Sequence, residues 1–225
     1  MTTIALPSLD LAALLCSRVC HDVIGPVSAI INGLELLEIE EDEAMRASAL
    51  DLIAKSAKSA STKLQFCRLA FGASGSAGSE IETGEAESVA RGLIDGERTK
   101  LTWAGSSRRV AKNKLKLLLN LCVLAAGCVP RGGVVAVQLA GEGGDFGFTL
   151  EAKGTNPRVP PHMADLLEAR PEGGPIDAHA IQAYYAGMLA RDSDMAIALE
   201  ADVEGVAFRV RPMGEATLPA SGAAG

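Results

Sequence analysis

The first 71 residues place the strongest constraint on this chain. Apolar residues recur there at spacings of three and four. Val19, Val23, Val27, Ile30, Leu34 and Leu37 make one run, and Leu50, Ile53, Ala57, Ala60, Leu64 and Cys67 make a second. Such spacing lays an apolar stripe along a helix. Ser8, after Pro7, is the expected N-cap, and the first helix runs from Leu9 to about Leu37. Glu38, Glu40, Glu41, Asp42 and Glu43 then gather. The last of these suit the start of a second helix, where the macrodipole favours negative charge. That helix continues to about Phe71 as a coiled-coil-like seam with small residues in its middle. Two long helices joined by a short turn form an antiparallel hairpin. A lone hairpin has too little core. Two copies packed as a four-helix bundle bury both stripes, so the expectation is a homodimer.

The run GASGSAGSE, Gly72 to Glu80, ends this texture and reads as a linker. Beyond it the pattern is α/β. Helices are expected over Glu85–Asp95, Ala111–Cys128, His162–Ala169 and Asp177–Arg191. Strands are expected over Lys100–Trp103, Gly133–Leu139, Phe146–Ala152, Met195–Ala201 and Val206–Val210. Their mixed order suggests an α/β sandwich with helices on one face of a sheet. The organisation is therefore a helical hairpin over 1–72, a linker over 73–80, an α/β domain over 81–213 and a flexible tail over 214–225.

Composition narrows the function classes. Of 225 residues, 48% are hydrophobic and only 4% aromatic, which favours helix packing over a β-sandwich. A net charge of −7 argues against nucleic acid, whose affinity comes mainly from phosphate neutralisation. The five cysteines are odd in number and form no CxxC pair. Reduced thiols, mostly in the core, and a cytoplasmic setting are expected. The three histidines do not cluster with cysteine, so no metal site is expected. The N-terminus has no basic start and apolar core of a signal peptide, and no apolar run reaches the roughly 20 residues of a membrane span.

The first helix carries one anomaly, CHDVIGPVS from Cys20 to Ser28. His21 lies about 200° round the axis from Val19 and Val23, so it points away from their stripe. A lone surface histidine beside a helix-bending proline ordinarily does no chemistry. Three neighbours favour another reading. Asp22 can accept the Nδ1 proton, fixing the tautomer and leaving Nε2 as a nucleophile. Arg18, three residues back on the same face, can steady a phosphoryl group in transit. Gly25 and Pro26 are expected to loosen the helix one turn on and open space. In an antiparallel hairpin turning near Glu41, residues near Ala60 lie opposite His21, with Lys58 and Lys63 flanking that level.

HDVIGP resembles the H-box of two-component histidine kinases, H-[DE]-x-x-x-P, on the first helix of a dimerising hairpin. The layout of hairpin, linker and α/β domain is similar over nearly the whole chain. In that family the histidine is phosphorylated and the α/β domain is a Bergerat fold that binds ATP. The ATP boxes depart from the pattern here. LLLNLCVLAAG, Leu117 to Gly127, keeps Asn120 but has Leu124 where the Mg²⁺-binding Asn stands, and leucine offers no oxygen to a hard cation. EAKGTNPRVP keeps Gly154 but has Ala152 in place of the adenine-binding Asp and Asn156 in place of the second Gly. The segment IDAHAIQAYYAGMLARD has no Gly-rich phosphate loop. Gly25 stands where kinases with phosphatase activity carry Thr or Asn. No bound ATP or other cofactor is therefore expected.

A phospho-accepting histidine without ATP needs another donor, and an aspartyl phosphate on a receiver domain is the remaining one. The chain then resembles the dimeric histidine phosphotransferases of alphaproteobacteria, with a kinase-like hairpin and a degenerate ATP-binding domain. That resemblance implies a hybrid kinase's receiver as donor and response regulators of cell-cycle control as acceptors. It implies Mg²⁺ supplied by the receiver and His21, Asp22 and Arg18 as the working residues. Ile24, Gly25, Lys58 and Lys63, and less readily Leu14, are candidates for receiver docking. Nucleic acid and membrane are not expected partners. Two alternatives remain at this point: an ATP-dependent kinase fragment, and a non-catalytic dimeric scaffold that binds receivers. The basic run RRVAKNKLK, Arg108 to Lys116, reads as a solvated helix start or as a second receiver contact. His162 and His179 read as capping or surface residues.

Overall fold

A computed structural model describes residues 6–72, 79–168 and 176–214. The expected linker and tail fall largely outside these residues. Helix α1 (Ser8–Ile39) and helix α2 (Glu43–Phe71) form an antiparallel hairpin. Pro7, not Ser8, precedes the first helical residue, and no side chain caps that end. The start of α2 does have a cap, since Asp42 accepts the Met45 amide at 2.9 Å. Pro26 lies inside α1, and the helix runs through it without a break. What the proline removes is one amide, so the carbonyl of Asp22 lacks its i+4 donor.

The two stripes each divide in the structure. Gly33 is buried in the hairpin interface, and a Cβ there would sit 2.6 Å from Cγ1 of Ile53. With Ala49, Ser56 and Ala60 also buried, small side chains let the helices approach closely. Val19, Val23, Ile30 and Leu37 are half-buried on this side. Val27 and Leu34 are not: with Ile24 and Ile31 they form an exposed apolar face. That face lies about 100° round the axis from the first. On α2, Leu50, Ala57 and Leu64 are likewise exposed, at seven-residue intervals. A single stripe per helix is therefore an underestimate: each helix is apolar towards its neighbour in the chain and again towards solvent.

The remainder is a two-layer α/β arrangement. Strands β2 (Thr99–Ala104), β4 (Gly133–Ala140), β5 (Gly147–Gly154), β7 (Gly205–Pro212) and β6 (Met195–Ala201) form a mixed sheet in the order β2-β4-β5-β7-β6. The β2–β4 pair is parallel and the others antiparallel. Two three-residue strands, β1 (Glu80–Glu82) and β3 (Arg109–Ala111), pair separately. Helices α3 (Thr83–Ile94), α4 (Lys112–Gly127) and α6 (Ile181–Asp192), with the short α5 (Met163–Leu167), complete it. Alternation along the strands explains the layering. Val137, Leu150 and Phe208 lie across from one another on β4, β5 and β7 and are buried, whereas Val134 and Gln138 are exposed.

Helix α4 is the hub. Leu115, Leu117, Leu118, Leu119 and Leu121 are fully enclosed, each contributing about 1.5–3 kcal/mol of burial. The core continues into the hairpin through Phe66, Cys67, Leu69 and Ala70 of α2. Leu11, Leu14, Leu15 and Val19 of α1 pack on it. Leu14 is thus core-facing and is not available to a partner. At the start of α1 the Leu6 amide donates to Tyr184 Oη of α6 at 3.1 Å. By length and composition alone, α1 could cross a bilayer.

Candidate functional site

His21 projects from α1 with 58% of its side chain exposed. Its Nδ1 faces Asp22 Oδ1 at 3.4 Å, and Asp22 Oδ2 accepts from Arg18 Nε at 2.9 Å. The i,i+4 spacing places Arg18 and Asp22 on one face, where they are mostly covered. The carboxylate therefore bridges a guanidinium and an imidazole, with Nε2 as the other ring nitrogen. This brings together the three residues singled out from the sequence. Beside Gly25 there is open space, with nothing within 4 Å of a built Cβ. The helix is unbroken there, so that space comes from the missing side chain and not from unwinding.

The packing of Gly33 against Ile53 fixes the hairpin register. Carried along the helices, it puts Ala60 and Lys63 at the level of Asp22. Lys63 is half-buried and Lys58 exposed. Nearby Cys67 feels the charges of Asp22, Arg18 and Lys63, but burial is the main cause that pushes its thiol up.

One participant was not anticipated. The ring of His179 lies edge-on to His21, with centroids 5.0 Å apart and planes at 70°. His179 belongs to the turn before α6, which begins at Ile181, four residues later than the expected start at Asp177. Asp177 Oδ1 accepts the amides of His179 and Ala180, both at 2.8 Å. Those two donors hold the Asp177 carboxyl below its ordinary range, with smaller contributions from the His179 and Arg18 charges. No local pattern announces this contact, because it arises from α6 docking on α1.

Beside His179 lies a cavity of about 630 Å³ whose walls include Arg18, Leu124, Gly127, Met163, Asp177 and His179. Leu124 thus faces the space where the resemblance would place a cation. Ala152 is fully buried between Val135 and Val206 in the sheet. Asn120 is spent internally: its Nδ2 donates to the Lys116 carbonyl and its Oδ1 accepts from Gln182 at 3.4 Å. Asn156 has φ of 57°, the left-handed conformation a glycine adopts easily and asparagine tolerates. Among the described residues no His, Cys, Asp and Glu group could hold a metal.

The basic run is not simply a solvated helix start. Arg109 pairs with Glu80 at 3.6 Å, Arg108 donates to the Gly141 carbonyl, and Lys116 is buried. Burial pushes the Lys116 ammonium down, with the Lys112 charge adding to it. Cys16 and Cys20 are exposed, whereas Cys67, Cys122 and Cys128 are buried and unpaired. His162 is an exposed residue ahead of α5.

Comparison with known proteins identifies the family. Residues 83–205 match the family model of the histidine phosphotransferase C-terminal domain. Protein phosphotransferase ChpT of Brucella abortus (strain 2308) is 47% identical over 208 residues, covering 91% of this chain and 97% of that protein. A solved structure of a bacterial phosphotransferase is 44% identical, with a TM-score of 0.84 over 94% of this chain and all of that one. A match of this extent, in a chain whose hairpin presents His21 on an Arg18–Asp22 support, places the protein in the histidine phosphotransferase family.

Proposed function

We propose that this chain relays phosphate between receiver domains through His21. The observation that carries the reading is the Arg18–Asp22–His21 series, which sets a carboxylate beside Nδ1 and leaves Nε2 as the nucleophilic edge of an exposed ring. In the transfer, the Nε2 lone pair forms the N–P bond as the P–O bond to the donor's aspartate breaks. The aspartate leaves as a carboxylate, and the ring proton stays on Nδ1 beside Asp22. Return of the phosphoryl group to a second receiver reverses these steps. Phosphoryl transfer demands positioning and charge stabilisation more than covalent help. Arg18 uses Nε for Asp22 and turns its Nη edge to the phosphoryl oxygens.

The donor in this reading is the receiver of a hybrid kinase, and the acceptors are response regulators, including those of cell-cycle control. Mg²⁺ arrives with the receiver. The α/β half is a degenerate Bergerat-like domain that binds no ATP. Leucine at 124 and the enclosed alanine at 152 support this, because neither supplies the polar atom that nucleotide chemistry needs. The chain works as a cytoplasmic homodimer. Val27, Ile31 and Leu34 of α1, with Leu50 and Leu64 of α2, are the seam of a four-helix bundle. That use of the apolar face of α1 also answers its membrane-like composition. Ile24, Gly25, Lys58 and Lys63 border the receiver dock.

The test is transfer from a receiver carrying labelled aspartyl phosphate, with Mg²⁺ and without ATP. Acid-labile label is expected on the wild-type chain and absent from His21→Ala. Absence of label from several receivers would favour the scaffold reading. Labelling by ATP alone would favour the kinase reading.

A further inference from the structure

We propose that His179 is a positioning residue for phosphoryl transfer, holding the His21 ring from the α/β half of the molecule. The inference rests on the relay reading and adds a residue to it. His21 needs such support. It is exposed, and its polar anchor, Asp22, is its chain neighbour and sits at the long distance of 3.4 Å. Rotation about the Cβ–ring bond of histidine has broad minima, so one long hydrogen bond leaves the ring loosely oriented. Edge-to-face packing against a second ring restricts that rotation. The 5.0 Å separation and 70° angle to His179 provide it.

His179 is itself well fixed. Its amide and that of Ala180 are held by the Asp177 carboxylate, and Ile181 donates its amide to the Asp177 carbonyl at 3.0 Å. The following helix is anchored by Ile181, Tyr184 and Ala186, all buried. Tyr184 also accepts the Leu6 amide at the start of α1. The docking of α6 on α1 therefore fixes the backbone positions from which the two rings meet. This gives the α/β half a task at the phosphorylation site that needs no nucleotide. Its role acts on the acceptor ring and leaves receiver affinity to the hairpin.

The experiment follows label from a phosphorylated receiver domain onto the full chain as receiver concentration is varied. His179→Ala should lower the saturated rate about tenfold, with the half-saturating receiver concentration unchanged. His179→Phe, which keeps an aromatic edge, should recover most of that loss. His179→Asn is a second ring-less variant suited to a turn, and it should match alanine. In NMR spectra of the unphosphorylated protein, the His21 ring signals should move in the ring-less variants and stay close to wild type with phenylalanine. Wild-type rates in both ring-less variants, a loss confined to receiver affinity, or no rescue by phenylalanine would overturn the assignment while leaving the relay intact. If the wild-type chain takes no label, the relay reading fails and this role fails with it.

Discussion

Helices α1 and α4 are both rich in aliphatic residues, yet they live differently. Among 32 residues of α1 the buried one is Gly33. Among 16 residues of α4, ten are buried, including six leucines. Apolar content is similar in kind, so it cannot be what separates them. The number of neighbours does: α4 has the sheet on one side and α3, α2 and α6 around it, while α1 has α2 along its length and α6 at one end. A closed core and an exposed apolar face thus share one sequence texture, and His21 stands on the helix that carries the exposed one.

The contrast can be tested by mutation. Phe208→Ala, inside the sheet core, should cost about 3–5 kcal/mol in a denaturant titration. A cost near that of a surface substitution would end the claim that this half is complete within one chain. Ile31→Glu combined with Leu34→Glu should leave the helices folded but reduce the mass seen by light scattering to the 23.2 kDa of a single chain. An unchanged dimer mass would mean that this face is not the seam.

Asp177→Ala should lower the melting temperature by about 2–4 °C, the loss of the acceptor that holds the turn before α6. Its carboxyl is held low by the Ala180 and His179 amides. Asp177 therefore contributes stability above the ordinary carboxylate range and loses it as pH falls through its lowered folded value. The difference between wild type and variant should vanish in acid. The smallest effect is kinetic. Cys16 should react with a thiol reagent in the native protein, while Cys67, Cys122 and Cys128 wait for unfolding. Burial raises all three of those thiols, that of Cys128 to about 12.

Much of the architecture was legible because it is local. The period of three and four in α1 and α2, and the glycine-serine run after them, locate the hairpin. The alternation in β4, β5 and β7 locates the sheet. Arg18, Asp22 and His21 could be grouped because helix geometry joins residues four apart. Three features were not legible, each for a physical reason. Strands β1 and β3, at three residues each, are too short to show a period. The second apolar face of α1 was merged with the first, since Val27 and Leu34 satisfy either spacing. His179 meets His21 only through tertiary docking, which leaves no mark on its own neighbourhood.

The hydrogen bond from Leu6 to Tyr184 spans nearly the whole chain, 178 residues apart. On the ribosome, that separation is a delay. At about 5–20 residues per second, roughly 10–35 s pass between synthesis of Leu6 and arrival of its acceptor. Throughout that interval the residues of α1 that finally rest on α6 have no partner in their own chain. The contact between His21 and His179 is therefore among the last to form, long after the hairpin that carries His21 is made.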